Sequence, residues 1–323
     1  MSGRRPAIRF LVLAAVILAG SVSASAPGQE PPLQDLFQFA LLGDVPYTDE
    51  EEQWFLGLIE GLNADQSLAF VVHDGDFKSG RSPCTDELFQ QRHAQFQGVA
   101  HPLIFIFGDN EWTDCRREEA GKYEPVERLN RLRELFASGP ESLGKRTLPL
   151  SRQSGDPRYR KFRENVRWTS GGVLFVGLNV PGSYNNVAQK SEYEERNAAD
   201  VAWLRESFKL ASESGMRGVL VVIHANPNFQ ARGAAAKRNP YRSFLSVLER
   251  EVRAFGKPVV LVHGDTHRFR IDKPLRDAQT GQPIENFTRV ETFGSPDLGW
   301  VKGTVDVNDP AVFRFEPARQ ESR

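Results

Sequence analysis

Residues able to do chemistry collect where apolar runs end. Val259-Val260-Leu261-Val262 leads into His263-Gly264-Asp265-Thr266-His267, Gly-Asp steps close earlier apolar runs at Gly43-Asp44, Gly75-Asp76 and Gly108-Asp109, and His224 closes another. A divalent cation needs several carboxylate or imidazole ligands brought from separate strands, and a glycine ahead of each aspartate lets the backbone turn and approach closely. In extended backbone, side chains two residues apart share a face, so His263, Asp265 and His267 are expected to converge. One Gly-Asp step is an ordinary turn or helix cap. Four of them, together with strand-end histidines, are harder to read as turns alone.

The elements that must position these residues follow from periodicity. Strands are expected at Phe37 to Leu42, Leu68 to Val72 and Leu103 to Phe107, each followed by helical spacing: a capping box at Thr48 and Glu51 before Trp54, Phe55, Leu58, Ile59 and Leu62, then residues 85–97, then Tyr123 to Phe136. Buried strands alternating with helices predict parallel β-α-β units, where ligands gather beyond the carboxyl ends of the strands. Further strands are expected near Asn165 to Thr169, Val173 to Asn179 and Val219 to Ile223, with helices over Glu192 to Ser212 and residues 241–255. The final third is strand-rich, with short strands near 268–273, 285–293, 299–306 and 311–315.

The order of these motifs resembles the calcineurin-like metallophosphoesterases, over residues 37–270. The resemblance implies an α/β fold in which two mixed β-sheets pack face to face and are flanked by helices. It also implies strand-end motifs D-x-H, G-D, G-N-H-[DE], a lone His and G-H-x-H, matched here by Asp44-Val45-Pro46, Gly75-Asp76, Gly108-Asp109-Asn110-Glu111, His224 and Gly264-Asp265-Thr266-His267. Asp44, Asp76, His224 and His267 match directly. Three places depart from the pattern. Pro46 replaces a ligand histidine, Asp109 and Asn110 replace Asn and the helper His, and Asp265 replaces the first His of the last motif. The implied metal set is Asp44, Asp76, Asp109, His224, Asp265 and His267, an oxygen-rich shell that favours two divalent ions of the Mn, Mg or Fe kind over Zn. The implied activity is hydrolysis of a phosphate ester by a two-metal centre with metal-activated water, Asp76 bridging, Asp44 and His267 on one ion, Asp109 and His224 on the other with Asp265 as a further candidate there. Asn110 is expected to contact the phosphoryl group, with Lys78, Asn185 and Asn186 as further substrate contacts, Glu111 as a supporting acceptor, and His73 and His263 as packed or supporting groups. The alternative reading is a catalytically silent relative that binds metal or phosphate, motivated by Pro46 and Asn110. A third is a structural protein whose Gly-Asp steps are only turns.

Arg4, Arg5 and Arg9 precede the apolar segment Phe10 to Ala19, and small residues follow at Val22-Ser23-Ala24 and Ala24-Ser25-Ala26. This is the build of a signal peptide over residues 1–26, too short in its apolar core for a stable span; an uncleaved anchor is the rival reading. Residues 27–36 then form a tether and residues 37–318 a single domain, exported to the periplasm or beyond. Without the signal arginines the chain carries 38 basic against 42 acidic side chains, so no basic excess is available to hold a nucleic-acid backbone, and the expected partner is a small phosphorylated substrate. Cys84 and Cys115 are the only cysteines, and an oxidising compartment favours a disulfide between them over thiolate ligation of a metal.

Overall fold

In the computed structural model, residues 35–319 are described, together with Met1 and Gly3. The signal peptide and most of the tether lie outside the described residues.

Strands β1 (Leu36–Leu42), β2 (Leu68–His73) and β3 (Leu103–Phe105) run parallel, linked by helices α1 (Asp49–Ala64) and α2 (Asp86–Gln97), and helix α3 (Pro125–Phe136) follows β3. Half of the predicted capping box forms: the Thr48 side chain accepts from the Glu51 amide, while the Glu51 carboxylate reaches one residue past the cap and accepts from the Tyr47 amide. The second sheet takes β4 (Ser151–Arg152), β5 (Val166–Ser170), β6 (Val173–Gly177), β7 (Gly218–Val222), β8 (Val259–His263), β9 (Arg270–Asp272) and β10 (Phe287–Glu291). Its order is β4-β5-β6-β7-β8-β10-β9, with β6, β7, β8 and β10 parallel and the edges antiparallel. Then β11 (Trp300–Asp306) and β12 (Phe313–Ala318) return to the first sheet, completing the order β12-β11-β1-β2-β3 with antiparallel pairing at β1 and β11. Both sheets are therefore mixed.

Period-two alternation along β1 decides the layers. Phe37, Phe39 and Leu41 point between the sheets, where they meet Phe70, Trp168, Phe175, Val222 and Val262. Ala40 and Leu42 point outward onto the core under α1, α2 and α3. On the far side, helices Lys190–Glu213 and Arg242–Phe255 cover the second sheet through Trp203, Leu204, Phe208, Phe244 and Leu248. The result is the expected sandwich of two mixed sheets between helical layers. It turns the carboxyl ends of β1, β2 and β3 and of β7 and β8 toward one edge.

Aromatic packing fills the space between the sheets. The Phe39 ring stacks on Phe70, with centroids 5.2 Å apart, and meets Phe175 edge-on at 5.6 Å. It lies directly over Gly303 of β11, where an added Cβ would overlap the ring. Gly303→Ala is accordingly expected to destabilise the fold by about 1–3 kcal/mol, the usual cost of overpacking a dense core. Urea denaturation should show a lowered midpoint at unchanged slope; an unaltered midpoint would mean that the packing between Phe39 and β11 yields freely.

Candidate metal centre

Asp44, Asp76 and Asp109 follow β1, β2 and β3, and His224, Asp265 and His267 follow β7 and β8, so the two sheets deliver the six predicted ligands to one place. The ligand atoms of Asp44, Asp76 and His224 lie within 4.8 Å of one another, and so do those of Asp109, His224 and Asp265. His267 joins through Asp44, its Nε2 standing 3.4 Å from Asp44 Oδ1. Asp76 stands between the groups: Oδ1 is 3.4 Å from His224 Nε2, and Oδ2 faces the Tyr47 hydroxyl at 3.1 Å.

Backbone geometry shows what holds them. Asp44, Asp76, Asp265 and His267 all have positive φ, between 52° and 73°, a region that costs a non-glycine residue about 1–2 kcal/mol. Strain repeated at four of six residues is the pattern of a functional site. It also corrects the expectation that His263, Asp265 and His267 share a face, because extended alternation stops at Gly264. His263 is fully buried, with Nδ1 2.8 Å from the Gly264 carbonyl, and burial lowers its pKa to about 3, so it packs as a neutral ring behind the site. His73 is likewise buried, neutral and enclosed by Phe55, Phe96 and Phe105. The glycines serve close approach: a Cβ on Gly108 would overlap the Asp76 carboxylate, and one on Gly264 would overlap that of Asp44.

The imidazoles are oriented as ligands. His224 Nδ1 lies 2.9 Å from the Asp74 carbonyl and His267 Nδ1 2.5 Å from the Ser295 carbonyl, which places the ring proton on Nδ1 and turns the Nε2 lone pair inward. His224 Nε2 stands 2.9 Å from Asp109 Oδ1. Burial opposes charge on His224, but the charge of Asp76 and hydrogen bonds to Asp109 and Asp76 raise its pKa well above the ordinary range, so in the metal-free fold a proton sits between imidazole and carboxylates. A cation that displaces this proton meets an imidazole nitrogen and buried carboxylate oxygens, so this donor set fits a divalent metal.

Seven carboxylates crowd this edge, counting Asp74, Glu111 and Asp114 with the four predicted aspartates. Burial first, and then the charge of Asp44 on Asp74 and of Asp76 on Glu111, holds both acids well above the ordinary carboxylate range. Asp265 rises to about 7 through burial and the charge of Asp109. Burial opposes charge on His267, but the hydrogen bond and charge of Asp44 raise it to about 9. All four groups have folded pKa values above their unfolded ones. Each contributes stability that is full below the unfolded pKa and lost as pH rises through the folded one. Metal-free protein is therefore expected to lose stability from pH 4 to pH 9. Thermal denaturation in chelator across that range, repeated with Mn²⁺, should show a falling melting temperature that the cation restores. A flat profile in chelator would contradict the charge crowding.

The remaining predicted residues have different places. Asn110 lies inside the site: its amide N–H donates to Asp76 Oδ1 at 2.9 Å, and its side-chain Nδ2 donates to the Tyr47 hydroxyl and to the Lys78 carbonyl, each at 3.1 Å. Lys78, expected to contact substrate, is buried, and its ammonium donates to the Ser79 and Asn110 carbonyls. Asn185 and Asn186, expected in the same role, are also buried. Asn185 accepts from Arg196 and donates its amide N–H to the Tyr241 hydroxyl, while Asn186 accepts from Arg116 and donates to Glu192. All three anchor loops in this structure. Glu111 supports the site as an acceptor, its Oε1 receiving the Gly108 amide at 2.5 Å and the Asp76 amide at 3.3 Å.

Sequence reading missed two residues. Ser183 donates at 2.7 Å to Asp109 Oδ2 and stands 2.6 Å from Asp114 Oδ1, carried there by four consecutive left-handed residues, Ser183 to Asn186. Its one signal was the polar Pro-Gly-Ser-Tyr-Asn-Asn loop. Tyr47 reaches into the centre, and burial, followed by the charges of Asp76 and Asp44, holds its phenol well above its ordinary pKa. The disulfide reading agrees with the structure: Cys84 and Cys115 are bonded, with Cα atoms 5.7 Å apart, tying the loop that carries Asp76 to the loop that carries Asp109.

No protein-family model matches the chain, and no curated protein matches it. Among solved structures, that of PhoD is similar at a TM-score of 0.50 and 13% identity, over 87% of this chain and 65% of that one. This chain thus spans just under two thirds of PhoD's length, and the likeness is one of fold. GAP50, the anchor in the inner membrane complex of Plasmodium, gives a TM-score of 0.44 at 13% identity over 89% of this chain and 90% of its own.

Proposed function

We propose that this chain is a metal-dependent phosphoesterase that acts on a small phosphorylated substrate outside the cytoplasm. The carrying observation is the pair of imidazoles whose Nδ1 atoms are tied to the Asp74 and Ser295 carbonyls while their Nε2 atoms face buried carboxylates. The PhoD-like sandwich supports the same reading. Asp44, Asp76 and His267 would hold one ion, and Asp109, His224 and Asp265 a second, with Asp76 offering one oxygen to each side. Bound there, divalent cations of the Mn, Mg or Fe kind would neutralise phosphoryl oxygens and acidify the attacking water. Export is supported by the disulfide, which persists in oxidising compartments. No helix of the described residues is long and apolar enough to cross a membrane.

The chain's own groups prepare this chemistry. Ser183 fixes the Asp109 carboxylate, leaving Oδ1 toward His224. Glu111 gathers the Gly108 and Asp76 amides and so holds the strained turn at Asp76. Asn110 stands where the resemblance places a helper imidazole, and an amide cannot transfer a proton at neutral pH. Esters with acidic leaving groups should therefore react and alkyl esters lag. The test is hydrolysis of p-nitrophenyl phosphate, bis-p-nitrophenyl phosphate and their alkyl counterparts in Mn²⁺, with and without chelator. Chelator-sensitive turnover of the aryl esters is expected. Bound metal with no turnover on any of them would favour the silent reading that Pro46 and Asn110 motivate.

A further inference from the structure

Beside the metal centre lies a cavity of about 310 Å³ that nothing described so far uses. Ser183 and Asp265 form its inner end, and the rest is walled by Tyr184, the loop after His224 and the short helix Gly233–Arg238 with the residues that follow it. Much of this wall is tied up within the chain. The Tyr241 hydroxyl donates to the Pro181 carbonyl at 3.0 Å and accepts the Asn185 amide at 3.1 Å. Asn239 donates to the Pro227 carbonyl and accepts the Tyr241 amide, and the Asn226 side chain accepts the Asn228 amide. Three lining side chains differ: those of Tyr184, Asn228 and Arg238 have no hydrogen-bond or ion-pair partner among the described residues. Tyr184 is 66% exposed, and both it and Asn228 hold left-handed backbone, at φ 60° and 56°. Such strain in a tyrosine is the mark of a side chain held out for use. The turn that carries Ser183 to Asp109 thus also sets Tyr184 on the cavity wall.

We propose that this cavity holds the alcohol part of the substrate, and that Arg238 selects phosphate esters carrying a second anionic group, a carboxylate or a further phosphate. The proposal rests on the reading of the neighbouring centre as a phosphoesterase site. Charge placement carries it. Asp265, at the metal end, is the acid of the cavity lining, and Arg238 is its base. A guanidinium with no carboxylate of its own presents a planar fork of donors that matches a carboxylate or phosphate. A void of that volume is about 8 Å across, the size of a small ligand site, which limits the distance between the two anions of the ester. The Tyr184 ring and the Asn228 amide flank the atoms that join them.

The test compares para-carboxyphenyl phosphate and para-phenylene bisphosphate with the neutral para-carbamoylphenyl phosphate, as kcat/KM in Mn²⁺. Calorimetric titration with para-carboxybenzylphosphonate and its carbamoyl counterpart, which have no ester bond to break, reads the same selectivity without turnover. Wild type is expected to favour at least one anionic ester, and the anionic phosphonate, by about tenfold, the size of one partly solvated charge-assisted contact. The larger ratio among the esters names the anion. Arg238→Gln, with circular dichroism confirming its fold, is expected to bring the ratios near one, whereas Lys237→Gln, an exposed change on the same helix, keeps them. Ratios near one in wild type, ratios that survive Arg238→Gln, or ratios lost equally in Lys237→Gln overturn selection by Arg238 and leave the phosphoesterase standing. Intact phosphonate selectivity without turnover of any ester keeps the cavity and removes the hydrolysis. Mn²⁺-loaded wild type that neither turns over the esters nor binds the phosphonates overturns both.

Discussion

Asp76→Asn is expected to lower kcat on an aryl phosphate by about a thousandfold, roughly 4 kcal/mol of transition-state stabilisation, with the fold intact. Asp76 presents its two oxygens to the two ligand groups, Oδ1 to His224 and Oδ2 to the group around Tyr47. An amide keeps the size and the capacity to accept from Asn110, but it removes the charge and the second carboxylate oxygen. Burial and the charge of Asp109 raise the Asp76 carboxyl above its ordinary pKa, opposed by the charge of His224, so the metal-free fold is strained by this group. Neutralising it should therefore leave stability in chelator equal or higher, while stability in Mn²⁺ falls. That opposite movement separates a ligand from a structural residue, whose loss would lower both. A variant retaining more than about a tenth of wild-type kcat would remove Asp76 from the centre of the mechanism.

Cys84→Ser with Cys115→Ser carries the second large effect, on stability. The bond closes a loop with a sequence separation of 31, for which the entropy of the unfolded chain sets a loss of about 3–4 kcal/mol. At roughly 2–4 °C per kcal/mol for a chain approaching this size, the melting temperature should fall by around 10 °C. The loop spans α2 and β3, and its ends hold together the segments that deliver Asp76 and Asp109. Metal affinity should fall with stability, which Mn²⁺ titration of the double variant would measure. Both cysteines are fully buried, so a reductant added to folded wild type should change neither property quickly. Rapid loss of activity in dithiothreitol would contradict that protection.

Much of the site was legible because ligand positions follow strand ends, and strand ends follow apolar periodicity. The runs before Asp44, Asp76, His224 and Asp265 became strands within a residue or so of their expected limits, and Gly-Asp marked where the chain leaves the sheet at Asp44, Asp76 and Asp265. β3 stops at Phe105, two residues before the end of its apolar run, although the Ile106 amide still bonds the His73 carbonyl. Periodicity reports burial, and Ile106 and Phe107 are buried outside the ladder.

Other features depend on long-range placement that no local pattern encodes. Nothing near Lys78 shows that its ammonium will turn to the Asn110 carbonyl, 32 residues away. Asn185 and Asn186 read as loop amides facing substrate, but the left-handed turn at Ser183 rotates them onto Arg196 and Arg116 and brings a hydroxyl to Asp109. Tyr47 was hidden by Pro46, because an aromatic after Val-Pro reads as a turn residue against the core.

Anomalous diffraction from Mn²⁺-loaded crystals tests the central claim most directly. Two manganese peaks are expected on opposite sides of Asp76, one within about 2.5 Å of Asp44 and His267 atoms and the other as close to Asp109 and His224. Loaded crystals with no peak within that distance of either Asp76 oxygen would contradict it.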